Sequence, residues 1–148
     1  LSPSQKSIAL LMKRVVQEHL YPIMLFSRMI DPSGLALFKQ TFFDNVTDEA
    51  LKKVTDNISN KLSALGIDCA DAQKVYALGL ENIAAIDTLY SGGKYFFGEQ
   101  LSSIDAVLLA FLSNISYMPI ENPLSDYIAE SLSLKTYIHQ MMAKYYGD

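Results

Sequence analysis

Apolar positions recur through the opening segment at helical spacing: Ile8, Leu11, Met12, Val15, Val16, Leu20, Ile23, Met24 and Phe26, with Lys13, Arg14, Gln17 and Glu18 on another face. Leu1-Ser-Pro-Ser-Gln5 supplies the start signal, with Ser2 as N-cap, Pro3 at the first helical position and Gln5 closing a capping box onto Ser2. Pro22 lies inside the run and removes a backbone hydrogen bond, which predicts a kink or break between Glu18 and Pro22. Asp31-Pro-Ser-Gly34 stops the run, and Leu35 to Phe43 is open to an extended reading. A second, more polar helix is expected from about Asp48 to Leu65, ended by Gly66. A third opens at Asp68 as its cap, with Asp71 at N3, and runs through Val75, Leu78, Ile83, Ile86 and Leu89 to Gly92-Gly93. Gly79 inside it costs about 1 kcal/mol relative to alanine, so a close helix contact is expected there. The fourth helix is the stretch Tyr95–Ile115, Pro119 and Pro123 bracket a loop, and a last amphipathic helix spans Leu134 to Tyr146. No strand alternation, hairpin signal or internal repeat is seen. The pattern predicts an all-α fold: a bundle of about five to seven helices, with residues 1–148 as a single helical domain.

Within Tyr95–Ile115, the almost unbroken apolar run carries one acid near its start, Asp105. One reading is chemical, with Asp105 as a buried acid or metal ligand. The other is architectural. With Ser102 as N-cap, Asp105 falls at N3, where its carboxylate can reach back to the Ser102 amide at the positive end of the helix dipole. A helix apolar on most sides is expected to be buried, and a buried start especially needs its free amides satisfied. The spacing favours a structural cap formed by Ser102 and Asp105.

Composition restricts the chemistry. Half of the 148 residues are hydrophobic, enough for a proper core, and the net charge of −4 offers no basic stripe for nucleic acid. One cysteine, Cys69, excludes an internal disulfide framework, and His19 and His139 stand apart without zinc spacing. Cys69 near a helix start would have its thiol activated by the helix dipole, but Asp68 and Asp71 oppose a thiolate. No apolar run reaches the roughly 18–20 residues of a membrane span, and no signal peptide opens the chain. Leu1 in place of a methionine leads us to expect a piece of a longer protein in a reducing, cytoplasmic setting.

Gly98-Glu-Gln-Leu-Ser102-Ser-Ile-Asp105 resembles the G-x-x-h-[ST]-x-x-D capping box and hydrophobic staple that begin the central buried helix of the glutathione transferase C-terminal domain. The preceding Leu89-Tyr-Ser-Gly-Gly-Lys-Tyr-Phe-Phe-Gly98 resembles that family's lead-in. Gln17-Glu-His-Leu-Tyr21, Leu65-Gly-Ile67, Leu134-Lys-Thr-Tyr137 and Tyr145-Tyr146 are similar to the failed axon connections and metaxin group of transferase-like proteins. The chain departs from that branch at Ser133, where asparagine is expected, near Gln140, where arginine is expected, and in Asp68-Cys-Ala-Asp71, which replaces a basic segment.

The resemblance implies a division of labour. Glutathione would be bound mainly by an N-terminal thioredoxin-like domain, of which this chain shows no trace. The chain would be the helical half, lining a pocket for a small apolar electrophile, sharing in a homodimer and inactive alone. By analogy Arg14, His19, Tyr21 and Phe26 face the pocket, against plainer readings: Arg14 as the surface partner of Glu18, Tyr21 and Phe26 as core, His19 as a structural histidine. The alternative is a non-catalytic, metaxin-like interaction module, peripheral at a membrane through its partners.

Overall fold

A computed structural model of the chain describes residues 1–43 and 45–147. Among these residues are eight α-helices and one π-helical segment, with no strand. α1 (Pro3–Arg14), the π segment (Val15–Leu20) and α2 (Tyr21–Met29) follow without a break. Then come α3 (Pro32–Phe42), α4 (Asp48–Ala64), α5 (Ala72–Leu89), α6 (Ser103–Tyr117), α7 (Pro123–Glu130) and α8 (Leu132–Tyr146). With the first rod counted once there are seven helices among the described residues, within the expected number.

The rod absorbs Pro22 by widening rather than breaking. In α register the ring of Pro22 would crowd the carbonyl of Glu18 and leave it unbonded. Instead the backbone stays right-handed throughout, and the Tyr21 amide reaches back to the carbonyl of Val16. Such local π windings are how a helix accommodates an interrupted ladder.

Two expectations need correction, and one helix was not foreseen. Leu35–Phe43 is not extended: Asp31 caps a new helix by accepting from the amides of Ser33 (3.0 Å) and Gly34 (3.5 Å), and Pro32 starts it. Leu35, Phe38 and Phe42 then share one face, with the two phenyl rings 4.7 Å apart. The third predicted helix begins three residues late, because Asp71 is its N-cap (Lys74 N–H at 3.1 Å) while Asp68 closes the turn before it. Finally, α7 begins where the expected Pro119–Pro123 loop ends, in a stretch to which the sequence pattern assigns no element. Asn122 caps it, Pro123 starts it, and the Ser125 hydroxyl accepts from the Asn122 amide at 3.0 Å.

Gly66 ends α4 with φ +80°, and the Ile67 amide closes onto Leu62 at 3.0 Å. Gly79 marks the expected close approach: a methyl there would meet Leu124 Cδ2 at 2.7 Å and Ile23 Cγ2 at 3.0 Å. α5 thus lies flush against α2 and α7.

One apolar core joins the rod to α5, α6, α7 and α8. Val16, Leu20, Ile83, Leu108 and Ile128 are wholly buried in it, each such side chain stabilising the fold by roughly 1.5–3 kcal/mol. α6 packs on α1, the π segment, α7 and α8. It is not buried on all sides, however. Ser103, Ala106, Ala110, Asn114 and Tyr117 recur at helical spacing on its exposed face. On its last turn the Asn114 carbonyl, one of the four a helix leaves free, accepts from the half-buried Arg28 guanidinium at 3.0 Å.

Candidate functional site

Among the described residues, the start of α6 is the most densely bonded polar group. Asp105 is 0% exposed. Its Oδ1 accepts from the Phe96 amide (2.7 Å) and the Tyr137 hydroxyl (3.1 Å), and its Oδ2 from the Ser102 amide and hydroxyl (2.8 Å each). All the lone-pair directions of a carboxylate are therefore in use. Burial, and then the adjacent Asp105 charge, push the Tyr137 phenol well above its ordinary range. The charge sits where the unpaired amides of α6 concentrate positive potential. This arrangement ties the 95–102 loop, α6 and α8 together and leaves Asp105 no open face toward a substrate.

Two more aspartates do similar work. Asp31, the cap of α3, accepts the Tyr76 hydroxyl from α5 at 3.0 Å, and burial with that charge raises the Tyr76 phenol. Asp87 on α5 accepts from Ser131 (2.8 Å), Ser133 and Tyr127 (3.4 Å) at the junction of α7 and α8.

The residues expected to face a pocket separate into three environments. Arg14 and Glu18 form an exposed ion pair at 2.6 Å. His19 stands on the exposed side of the π segment. Tyr21 is 44% exposed, its ring edge-on to Phe111 at 6.0 Å. Phe26 is only 1% exposed and packs edge-on against Tyr76 at 5.6 Å. Its ring belongs to the core and not to a pocket wall, because Phe26 shares the buried face of α2 with Ile23 and Met29.

Tyr21 and Glu18 line a cleft of about 600 Å³ between the π segment and α4. Its apolar wall is Tyr21, Leu25, Ile58 and Leu65, and its rim carries Glu18 and Lys61. Leu65 is 61% exposed. A second apolar cleft of about 640 Å³ runs along the exposed face of α6, between Ala106, Ala110 and the α8 residues Met141 and Tyr145. The Leu65 wall was not legible beforehand, since Leu65 read as the end of a helix before Gly66 and as part of the Leu65-Gly-Ile67 resemblance, not as a pocket residue. Among the described residues, no cluster of histidine, cysteine and acidic side chains could hold a metal ion, and no helix is long and apolar enough to cross a membrane. Cys69 is a half-buried free thiol.

Residues 79–141, from the contact glycine of α5 to Met141 of α8, match the family described as Glutathione S-transferase, C-terminal domain. The chain is thus similar to the helical C-terminal domain of glutathione transferases, in sequence over that stretch and in its all-α class. It is also similar to the protein named "Failed axon connections" of Drosophila melanogaster, at 28% identity over 93 residues, which are 61% of this chain and 22% of that protein. The matched stretch therefore spans about a fifth of that relative. No solved structure matches the chain.

Proposed function

We propose that this chain is the helical half of a glutathione transferase-like protein and that the cleft between the π segment and α4 receives an apolar electrophile. The observation that carries the reading is the pair Tyr21 and Leu65, two exposed apolar side chains on the lining of one cleft of about 600 Å³, a size suited to a small organic ligand. The π winding that presents Tyr21 is itself a feature common at functional sites. The lining includes a single cation, Lys61, beside an acid, Glu18. That suits an uncharged apolar molecule better than glutathione with its two carboxylates. In this reading glutathione is held mainly by a thioredoxin-like domain outside the described residues, in a cytoplasmic protein that pairs as a homodimer, and the chain alone conjugates nothing.

The test is binding of a dinitrophenyl electrophile, followed by quenching of tyrosine fluorescence in this tryptophan-free chain. Tyr21→Ala and Leu65→Ser should each weaken binding by about five- to tenfold. Unchanged affinity in both would refute the cleft. Conjugation of glutathione by the chain alone would refute the division of labour. A second reading, a metaxin-like interaction module peripheral at a membrane, draws on Leu10 and Leu11, which are exposed side by side on α1 next to Lys13 and Arg14. It predicts that Leu10→Ser/Leu11→Ser abolishes partner capture and leaves electrophile binding intact.

A further inference from the structure

Lys39, Lys52 and Lys74 each meet an aspartate at 2.5, 2.6 and 2.9 Å. Lys94 and Lys144 do not: among the described residues neither pairs with a carboxylate. Both converge instead on one phenol. The Lys144 ammonium lies 4.8 Å from the centroid of the Tyr95 ring and donates to its hydroxyl, and Lys94 lies 5.8 Å from the same centroid. The loop that carries the ring is held because Tyr95 exchanges backbone hydrogen bonds with Gly98, at 2.7 and 3.0 Å. Gln140 precedes Lys144 by one helical turn of α8, which brings its amide to the same face. These groups line a cleft of about 650 Å³, with Glu99 the one acid among the lining residues. Two ammonium groups on the lining of one cleft repel each other, and an anion bound there relieves that repulsion.

We propose that this cleft binds a small organic acid, a carboxylate or a phosphate monoester. Its anionic head lies between Lys94 and Lys144, accepts from the Tyr95 hydroxyl and the Gln140 amide, and its body runs along Met141. The lysines' effect on the phenol supports this. The Lys144 hydrogen bond above all, with the charges of Lys144 and Lys94, draws the Tyr95 hydroxyl below its ordinary pKa. A field that favours a phenolate favours an oxyanion in the same place. The site is independent of the cleft at Tyr21, and its loop and α8 residues are not part of that cleft.

The experiment is calorimetric titration of the full chain with benzoate, phenyl phosphate and, as a neutral isostere, benzamide. Both anions should bind saturably and benzamide should not; preference for one anion identifies the head group. Lys94→Met and Lys144→Met, at exposed positions, should each weaken anion binding roughly three- to tenfold. Tyr95→Phe should weaken it about threefold, Glu99→Gln should tighten it, and Lys135→Met on α8 should leave it unchanged. A bound anion should also move the Tyr95 ionisation, read by tyrosinate absorbance, to higher pH. Equal binding of benzamide, undiminished binding by the Lys94→Met/Lys144→Met double variant, or no saturable binding of either anion would overturn the proposal.

Discussion

At the scale of single residues, the decisive fact about Asp105 is how its four donors are divided. Each carboxylate oxygen faces one backbone N–H and one hydroxyl. Hydroxyls can turn and offer a lone pair; amides cannot. An asparagine amide at this position therefore sets its NH₂ against either the Phe96 or the Ser102 N–H, whichever way it is turned. Asp105→Asn should cost on the order of 2–4 kcal/mol, close to Asp105→Ala, whereas Ser102→Ala should cost about 1 kcal/mol. Urea denaturation midpoints at neutral pH measure this, and an asparagine variant as stable as the parent would refute the description of the site. The local half of the arrangement was legible in the sequence, because Ser102 and Asp105 are three residues apart and capping is a local rule. The distant half was not. Nothing in the spacing marks Tyr137, 32 positions away, as the hydroxyl that closes the shell. Phe26 fails for a related reason: hydrophobic spacing says that a ring is packed, but not whether it meets the core or a ligand.

At the scale of elements, long periodic stretches with local end signals were readable, which is why α4, α6 and α8 lie close to their expected bounds. Misreadings occurred where a proline does double duty. Pro32 read as part of a stop and Pro123 as the edge of a loop, yet each is the first residue of the next helix, after the caps Asp31 and Asn122. Pro22 marked the place where a kink or break is expected, and the structure has a π winding in a continuous rod there. The junction of α7 and α8 shows how such short elements are held. Ser131 ends one helix and caps the next, and its hydroxyl is fixed by Asp87 while accepting from the Leu134 amide at 3.2 Å. Asp87→Ala should free the Ser131 and Ser133 hydroxyls and loosen the first turn of α8. Amide exchange at Leu134 and Lys135 should then quicken by about tenfold, while α5 itself keeps its protection. Equal protection in parent and variant would show that Ser131 caps α8 without help from Asp87.

At the scale of the whole molecule, the same device recurs. Asp31 with Tyr76 joins α3 to α5, Asp87 with Ser131 and Ser133 joins α5 to α8, and Asp105 with Tyr137 joins α6 to α8. Aspartates that serve helix starts thus also latch distant helices through phenols and hydroxyls, without any cation. This makes the fold sensitive to base. Burial first, then the aspartate beside each, raises Tyr76 and Tyr137 above the ordinary phenol value of 10.0, and burial pushes Tyr90 and Tyr127 the same way. In the unfolded chain these phenols lose their protons near pH 10, while in the folded chain they keep them. Above pH 10 the unfolded state therefore binds fewer protons, and stability falls as pH rises, by up to about 1.4 kcal/mol per pH unit for each such group. Below pH 10 their contribution is fully present. Tyr95 behaves in the opposite sense: lowered chiefly by Lys144, it should ionise first and in the folded state, giving tyrosinate absorbance before any unfolding. Urea denaturation at half-unit steps from pH 8 to pH 11.5 should show a flat stability followed by a steep decline from about pH 10. Tyr137→Phe and Tyr76→Phe should each start from a lower plateau, about 1 kcal/mol down for the lost hydrogen bond, and decline less steeply. Their double variant should lose the slope due to these two phenols and keep that of the remaining groups, Tyr90 and Tyr127 among them. An alkaline slope unchanged in the double variant would mean that the latches hold no excess proton, and that the hydroxyl–aspartate contacts are not what joins these helices.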